Sequence, residues 1–73
     1  MNSRLLKAKR IEMGLRQIDL AEMLGVTEKT MNIKECANEN RFSAKQMIQL
    51  AEILSLSLYE FDRIFFDDRL PKV

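Results

Sequence analysis

QIDLAEMLGVTEKTMNIKEC, residues 17–36, is the stretch on which the fold turns. Leu20, Ala21 and Leu24 fall at i, i+1 and i+4, the spacing of one apolar face on a 3.6-residue helix. This helix is read over Gln17–Leu24. Gly25 stops it, because glycine takes the positive φ of a helix end without a Cβ clash. Val26 is expected to plug the gap that follows. Thr27 is expected to cap a second helix, from Glu28 to about Cys36, whose inward plug is Met31. Two short helices joined by a brief turn containing glycine carry the spacing of a helix-turn-helix. The second helix of such a pair is braced across the first, with one face left free.

Working outward, a preceding helix is read over Ser3–Met13, with Ser3 as its cap and Leu6, Arg10 and Met13 on one stripe. Gly14 ends it. After a polar turn, Ala37–Phe42, the run Ser43-Ala-Lys-Gln46 is a capping box. It opens a fourth helix, Ala44–Leu54, with Met47, Leu50, Ala51 and Leu54 inward. Ser57-Leu-Tyr-Glu60 is a second capping box, opening a fifth helix with Leu58, Phe61 and Phe65 in one stripe. Pro71 closes the ordered part. The expected architecture is all-α: a compact five-helix bundle over residues 1–66 and a short polar tail over 67–73. The tail's acidic pair, Asp67-Asp68, is expected to be solvated.

A domain of 73 residues buries only about 60% of the surface its unfolded chain exposes. Such domains add disulfides, metals or a partner chain. Cys36 is alone and histidine is absent, which excludes an internal disulfide and leaves no ligand set for zinc. Helix packing or oligomerisation remains. No apolar run approaches the ~20 residues needed to cross a bilayer. The lone thiol and the lack of a signal peptide point to a reducing cytoplasm. The net charge of +1 hides an asymmetry. Residues 1–16 carry Arg4, Lys7, Lys9, Arg10 and Arg16 against Glu12 alone, while the remainder is acidic on balance. A local basic face matters more to a polyanionic partner than the total.

Gly14-Leu-Arg-Gln17, Leu20-Ala21-Glu22, Leu24-Gly25-Val26-Thr27, Thr30 and Glu35 resemble the Cro/repressor-type (XRE) helix-turn-helix domains of bacteria and their phages, the lambda-repressor-like fold. The resemblance covers about residues 3–62. Lys34-Glu35, Arg41-Phe42, Leu56 and Ile64-Phe65-Phe66 look like a subgroup found in phages and prophages of Gram-positive bacteria. It implies a transcriptional regulator, most often a repressor, binding double-stranded operator DNA as a two-fold dimer. Three positions depart from the family pattern. Arg16 replaces a small capping Ser or Thr, which weakens the start of the Gln17–Leu24 helix. Lys34 stands at a commonly apolar position, with its stem expected on the core and its ammonium in water. Ala37 stands where glycine is common.

The same resemblance assigns roles. Gln17 matches a residue that bonds a phosphate. Glu28, Lys29, Asn32 and Ile33 match the base-contacting positions and share one helical face. Lys29 can donate to guanine, Asn32 can pair with adenine, Glu28 can accept from cytosine N4, and Ile33 can touch a thymine methyl. Ile33 in the core, and Glu28 as a helix N-terminal charge, are the competing readings. Arg16, Thr27, Thr30, Asn38, Arg41 and Lys45 are candidate phosphate contacts, with Asn38 and Arg41 ranked first. Arg10 and Glu35 match a buried ion pair; the alternative makes Arg10 a DNA-facing base.

On the fifth helix Tyr59, Ile64 and Phe66 fall off the inward stripe and are assigned to a homodimer interface. Folding of this segment onto the first helix is the alternative. An operator-binding regulator leads. Behind it stands the same scaffold used as a protein-interaction module, an antirepressor or antitoxin-like partner, motivated by near-neutral charge and by Glu28, Glu35 and Glu39. An enzyme is a distant third, since neither histidine, a phosphate-cradling glycine loop nor an evident pair of catalytic carboxylates is present. Cofactor, metal and small-molecule ligand are all expected to be absent.

Overall fold

The computed structural model describes residues 1–66. They form five helices with no strand among the described residues: α1 (Ser3–Glu12), α2 (Gln17–Leu24), α3 (Glu28–Cys36), α4 (Ala44–Ile53) and α5 (Leu58–Phe65). The tail over 67–73, with Asp67, Asp68 and Pro71, lies outside the described residues. None of the helices is long and apolar enough to cross a membrane.

Local chemistry explains where each helix begins. Asn2 caps α1, its Oδ1 accepting from the Leu5 N–H at 3.1 Å. Ser3, the expected cap, is instead the first helical residue. Two cap-competent side chains stand side by side there, and the earlier one is used. Ser43 and Ser57 make reciprocal capping boxes with Gln46 and Glu60, as the sequence predicts. Arg16 has no acceptor and cannot cap α2. Asp19 supplies half a box from the other side, accepting from the Arg16 backbone N–H at 2.8 Å.

The helix ends are equally local. Gly14 and Gly25 both take φ of 72°. Each is followed by an N–H that folds back on the helix it ends, Leu15 to Arg10 and Val26 to Ala21. Ser55 does the same work after α4 at φ 51°, with the Leu56 N–H on the Ala51 carbonyl. Met13 is the C-cap of α1 and exposed, not the third member of an inward stripe. The helix stops one residue before it, and Leu15 packs against the core in its stead.

The core gathers Leu6, Leu20, Ala21, Leu24, Met31, Phe42, Leu50, Leu54, Ile64 and Phe65, with Met1 at its margin. Met31 is fully buried and Val26 packs beside it, both as expected. The face of α5 differs from expectation. Ile64, assigned to a dimer interface, is 0% exposed, and Leu58, assigned inward, is 89% exposed. The inward set is Ile64 and Phe65, buried, with half-buried Phe61 one turn before them, at i, i+3 and i+4. The chain start decides this rotation. The Asn2 N–H donates to the Ile64 carbonyl at 2.7 Å and Lys9 reaches Glu60, so α1 meets α5 at both its end and its first turn, while Leu58 stays outside the contact. Phe65 meets Phe42 edge-on at 6.3 Å.

Lys9 of α1 reaches Glu60 of α5 at 2.8 Å and Glu12 at 3.4 Å. The Lys9 hydrogen bond, then the Ser57 backbone N–H, holds the Glu60 carboxyl below its ordinary value of 4.5. The same bond raises Lys9 above 10.5. Stability from this contact is therefore present between those values. It is lost as pH falls through the lowered Glu60 pKa or rises through the raised Lys9 pKa. Thermal melts of Glu60→Gln from neutral pH down to about pH 3 should decline less steeply than those of the wild type. Parallel declines would show that the bridge does not couple α1 to α5.

Candidate nucleic-acid interface

α2 and α3 are the most extensively packed pair of helices, joined by only Gly25, Val26 and Thr27. Thr27 caps α3, accepting from the Thr30 N–H at 3.1 Å, and its hydroxyl also donates to Thr30 Oγ1. Of the nine α3 residues, Met31 and Glu35 are buried, one turn apart on one face. Their burial fixes the rotation of the helix. Glu28, Lys29, Asn32 and Ile33 are exposed in consequence. Ile33 is 53% exposed, which overturns the reading that placed it in the core.

Glu35 is a carboxylate only 1% exposed, and Arg10 is buried beside it. Arg10 Nε donates to Glu35 Oε2 at 2.8 Å and Nη2 donates to Oε1 at 3.1 Å, a two-pronged pair joining α1 to α3. Arg10 Nη1 donates to the Leu15 carbonyl at 2.7 Å, so the guanidinium also pins the α1–α2 connection. This geometry rules out Arg10 as a solvent-facing base. Gln17 continues the network, its Nε2 donating to Glu35 Oε1 at 3.0 Å. Asn32 Nδ2 in turn donates to Gln17 Oε1 at 3.1 Å. A continuous chain of hydrogen bonds thus runs from buried Arg10 to the exposed face of α3. Gln17, read from the sequence as a phosphate contact, is a half-buried link between the ion pair and Asn32.

The remaining candidates divide by how they are engaged. Thr27 is exposed and Thr30 is half-buried against it. Arg16 is exposed but folded onto Asp19, with Nη2–Oδ1 at 2.9 Å and Nε–Oδ2 at 3.1 Å. This bond holds the Asp19 carboxyl below its ordinary range. An exposed pair of this kind is worth little and opens readily to another anion. Asn38 and Arg41 are exposed and, with Ile33, Ala37 and Glu39, line one open hollow at the end of α3. Lys45 is exposed at the start of α4. Lys29, Arg41 and Lys45 make no ion pair among the described residues. Tyr59 is 71% exposed with Arg63 against its ring, and Phe66 is partly exposed beside Phe61.

Two contributions were not read from the sequence. Lys34 keeps its ammonium at the surface, as expected, but the ammonium is engaged there. Nζ donates to the Arg41 carbonyl at 2.8 Å and lies over the Phe42 ring at 5.7 Å. It thereby ties the loop carrying Asn38 and Arg41 to α3, and a weaker bond to Gln46 extends the tie to α4. Its partners are a backbone carbonyl and a ring seven and eight positions on, which no spacing rule names. Arg4 and Lys7 line a second hollow with Ser3, Glu35 and Cys36. The basic surplus of residues 1–16 was the available signal, but it did not distinguish these two from their paired neighbours.

Glu35→Ala leaves the Arg10 charge buried without its partner and is expected to cost about 3–5 kcal/mol. Removing both charges in R10M/E35L should recover much of that loss, because a buried pair is readily replaced by packed apolar groups. Urea unfolding that ranks the double variant below Glu35→Ala contradicts this account of the pair. In comparison with known proteins, the chain matches no family model, no curated protein and no solved structure.

Proposed function

We propose that the chain is a sequence-specific DNA-binding protein in which α2 and α3 form a helix-turn-helix and α3 enters the major groove. The reading makes it a transcriptional regulator, of repressor type, without enzymatic activity and working in the cytoplasm. One observation carries it. α3 is anchored by fully buried Met31 and Glu35, while Lys29, Asn32 and Ile33 stand exposed on it together. A helix of about 10–12 Å diameter matches a groove about 12 Å wide. The exposed side chains offer a cation, a carboxamide and an apolar tip, which suit guanine, adenine and the thymine methyl. Exposed Arg41, which shares a hollow with Ile33, suits a phosphate, and exposed Lys45 at the start of α4 is assigned the same role.

Burial of Glu35 against Arg10 also bears on the competing protein-interaction reading. One of the three acids that motivated it, Glu35, contributes nothing to the surface, which leaves Glu28 and Glu39.

Dimerisation on a palindromic operator belongs to the same proposal. With Ile64 removed to the core, the interface is assigned to Leu58, Tyr59 and Phe66. Leu58 borders an apolar groove lined by Ile48, Ala51, Leu56 and Phe61. Exposed apolar side chains next to such a groove suit a self-complementary contact.

Selection from random duplexes with the purified chain should recover a short palindrome, bound with an affinity that falls steeply as salt rises. Asn32→Ala should relax the choice at one base pair by roughly 1–3 kcal/mol, whereas Arg41→Ala should weaken all sequences alike. Uniform losses for both variants would contradict the division of roles. Retention on a protein partner at high salt with no retention on DNA at low salt would favour the interaction module. Leu58→Lys should lower affinity for a duplex carrying both half-sites and leave a single half-site unaffected. Equal loss on both would place Leu58 outside the dimer contact.

A further inference from the structure

We propose that the buried Arg10–Glu35 pair selects the base that Asn32 reads, by setting the polarity of two amides in series. The inference rests on the DNA-binding reading above and adds a positioning role for residues that touch no DNA.

Donors and acceptors alternate outward from the buried pair. An ionised carboxylate can only accept hydrogen bonds. Glu35, held against Arg10 by two hydrogen bonds, must therefore face the NH₂ of Gln17 and cannot face its carbonyl. That turns Gln17 Oε1 toward Asn32, which must answer with its own NH₂. Each amide is oriented by the one behind it. Asn32 is left with its carbonyl oxygen and its second N–H for a ligand. Adenine's major-groove edge carries a donor at N6 beside an acceptor at N7, which matches that pair, whereas guanine offers two acceptors, O6 and N7. An Asn32 turned the other way round would present two N–H groups and would suit guanine. The chain of bonds forbids that orientation while Glu35 is charged. It breaks if Gln17 is lost, or if position 35 can both donate and accept.

Two variants separate this role from a structural one. Glu35→Gln keeps the side-chain shape and lets both amides turn over, at some risk to folding because Arg10 stays charged. Gln17→Met cuts the same chain and leaves the ion pair intact. The measured quantity is the ratio of affinities for two duplexes that differ, adenine against guanine, only at the base pair whose selection depends on Asn32. For the wild type the ratio should favour adenine by roughly tenfold or more, as a bidentate amide contact provides. In Gln17→Met, and in Glu35→Gln if it folds, it should fall several-fold toward unity. Loss of a phosphate contact, or of stability, lowers both affinities and leaves their ratio unchanged. An unchanged ratio in Gln17→Met overturns the inference and leaves the DNA-binding reading standing. The same holds if the base pair lost in Asn32→Ala is not an adenine. Failure of the wild-type chain to bind any duplex overturns both.

Discussion

Arg10 and Glu35 meet across 25 positions of sequence, buried between α1 and α3, and much of the molecule's geometry follows from their contact. A buried ion pair tolerates little freedom, because each charge has given up water and depends on the other's geometry. Holding Glu35 inward fixes α3 about its own axis, with Met31 one turn away completing the inward face. The third donor of Arg10, on the Leu15 carbonyl, fixes the path into α2. One guanidinium thus joins α1, the α1–α2 connection and α3. The hydrophobic core supplies the bulk of the stabilisation, as in any small domain, but it does not specify rotation so sharply.

The same pairing redistributes charge. Of the five basic residues in positions 1–16, Arg10 is consumed by Glu35, Arg16 leans on Asp19, and Lys9 bridges to Glu12 and Glu60. Arg4 and Lys7 make no ion pair among the described residues. Nor do Lys29, Arg41 and Lys45, which lie on α3, on the loop after it and on α4. The near-neutral total is therefore a poor guide to the surface. Acids are spent inside the structure or at helix starts, and several cations are left outside.

The legible part of the fold was the local part. Gly25 with Val26, the boxes at Ser43 and Ser57, and the Thr27 cap are each settled by a few neighbouring residues, and each reads correctly. Apart from the two ends of α1, where Asn2 caps in place of Ser3 and Met13 lies outside the helix, the errors fall where distant contacts decide. The face of α5 depends on Asn2 reaching Ile64, which no window of the sequence contains, so Ile64 and Leu58 exchange places. Arg10 and Glu35 were legible as a pair through family resemblance. Their continuation through Gln17 to Asn32 was not, because it needs three helices in register. The partners of Lys34 were illegible for the same reason, belonging to a loop whose path only the folded chain defines.

The central proposal is that the outward face of α3 is the surface that meets duplex DNA. Backbone and side-chain amide shifts, followed by nuclear magnetic resonance as a selected duplex is titrated in, test that most directly. The largest changes are predicted at Lys29, Asn32 and Ile33 and at the Asn32 and Gln17 side-chain amides, with smaller ones at Arg41 and Lys45. Changes concentrated on α4 and α5, with α3 undisturbed at saturating duplex, would contradict it.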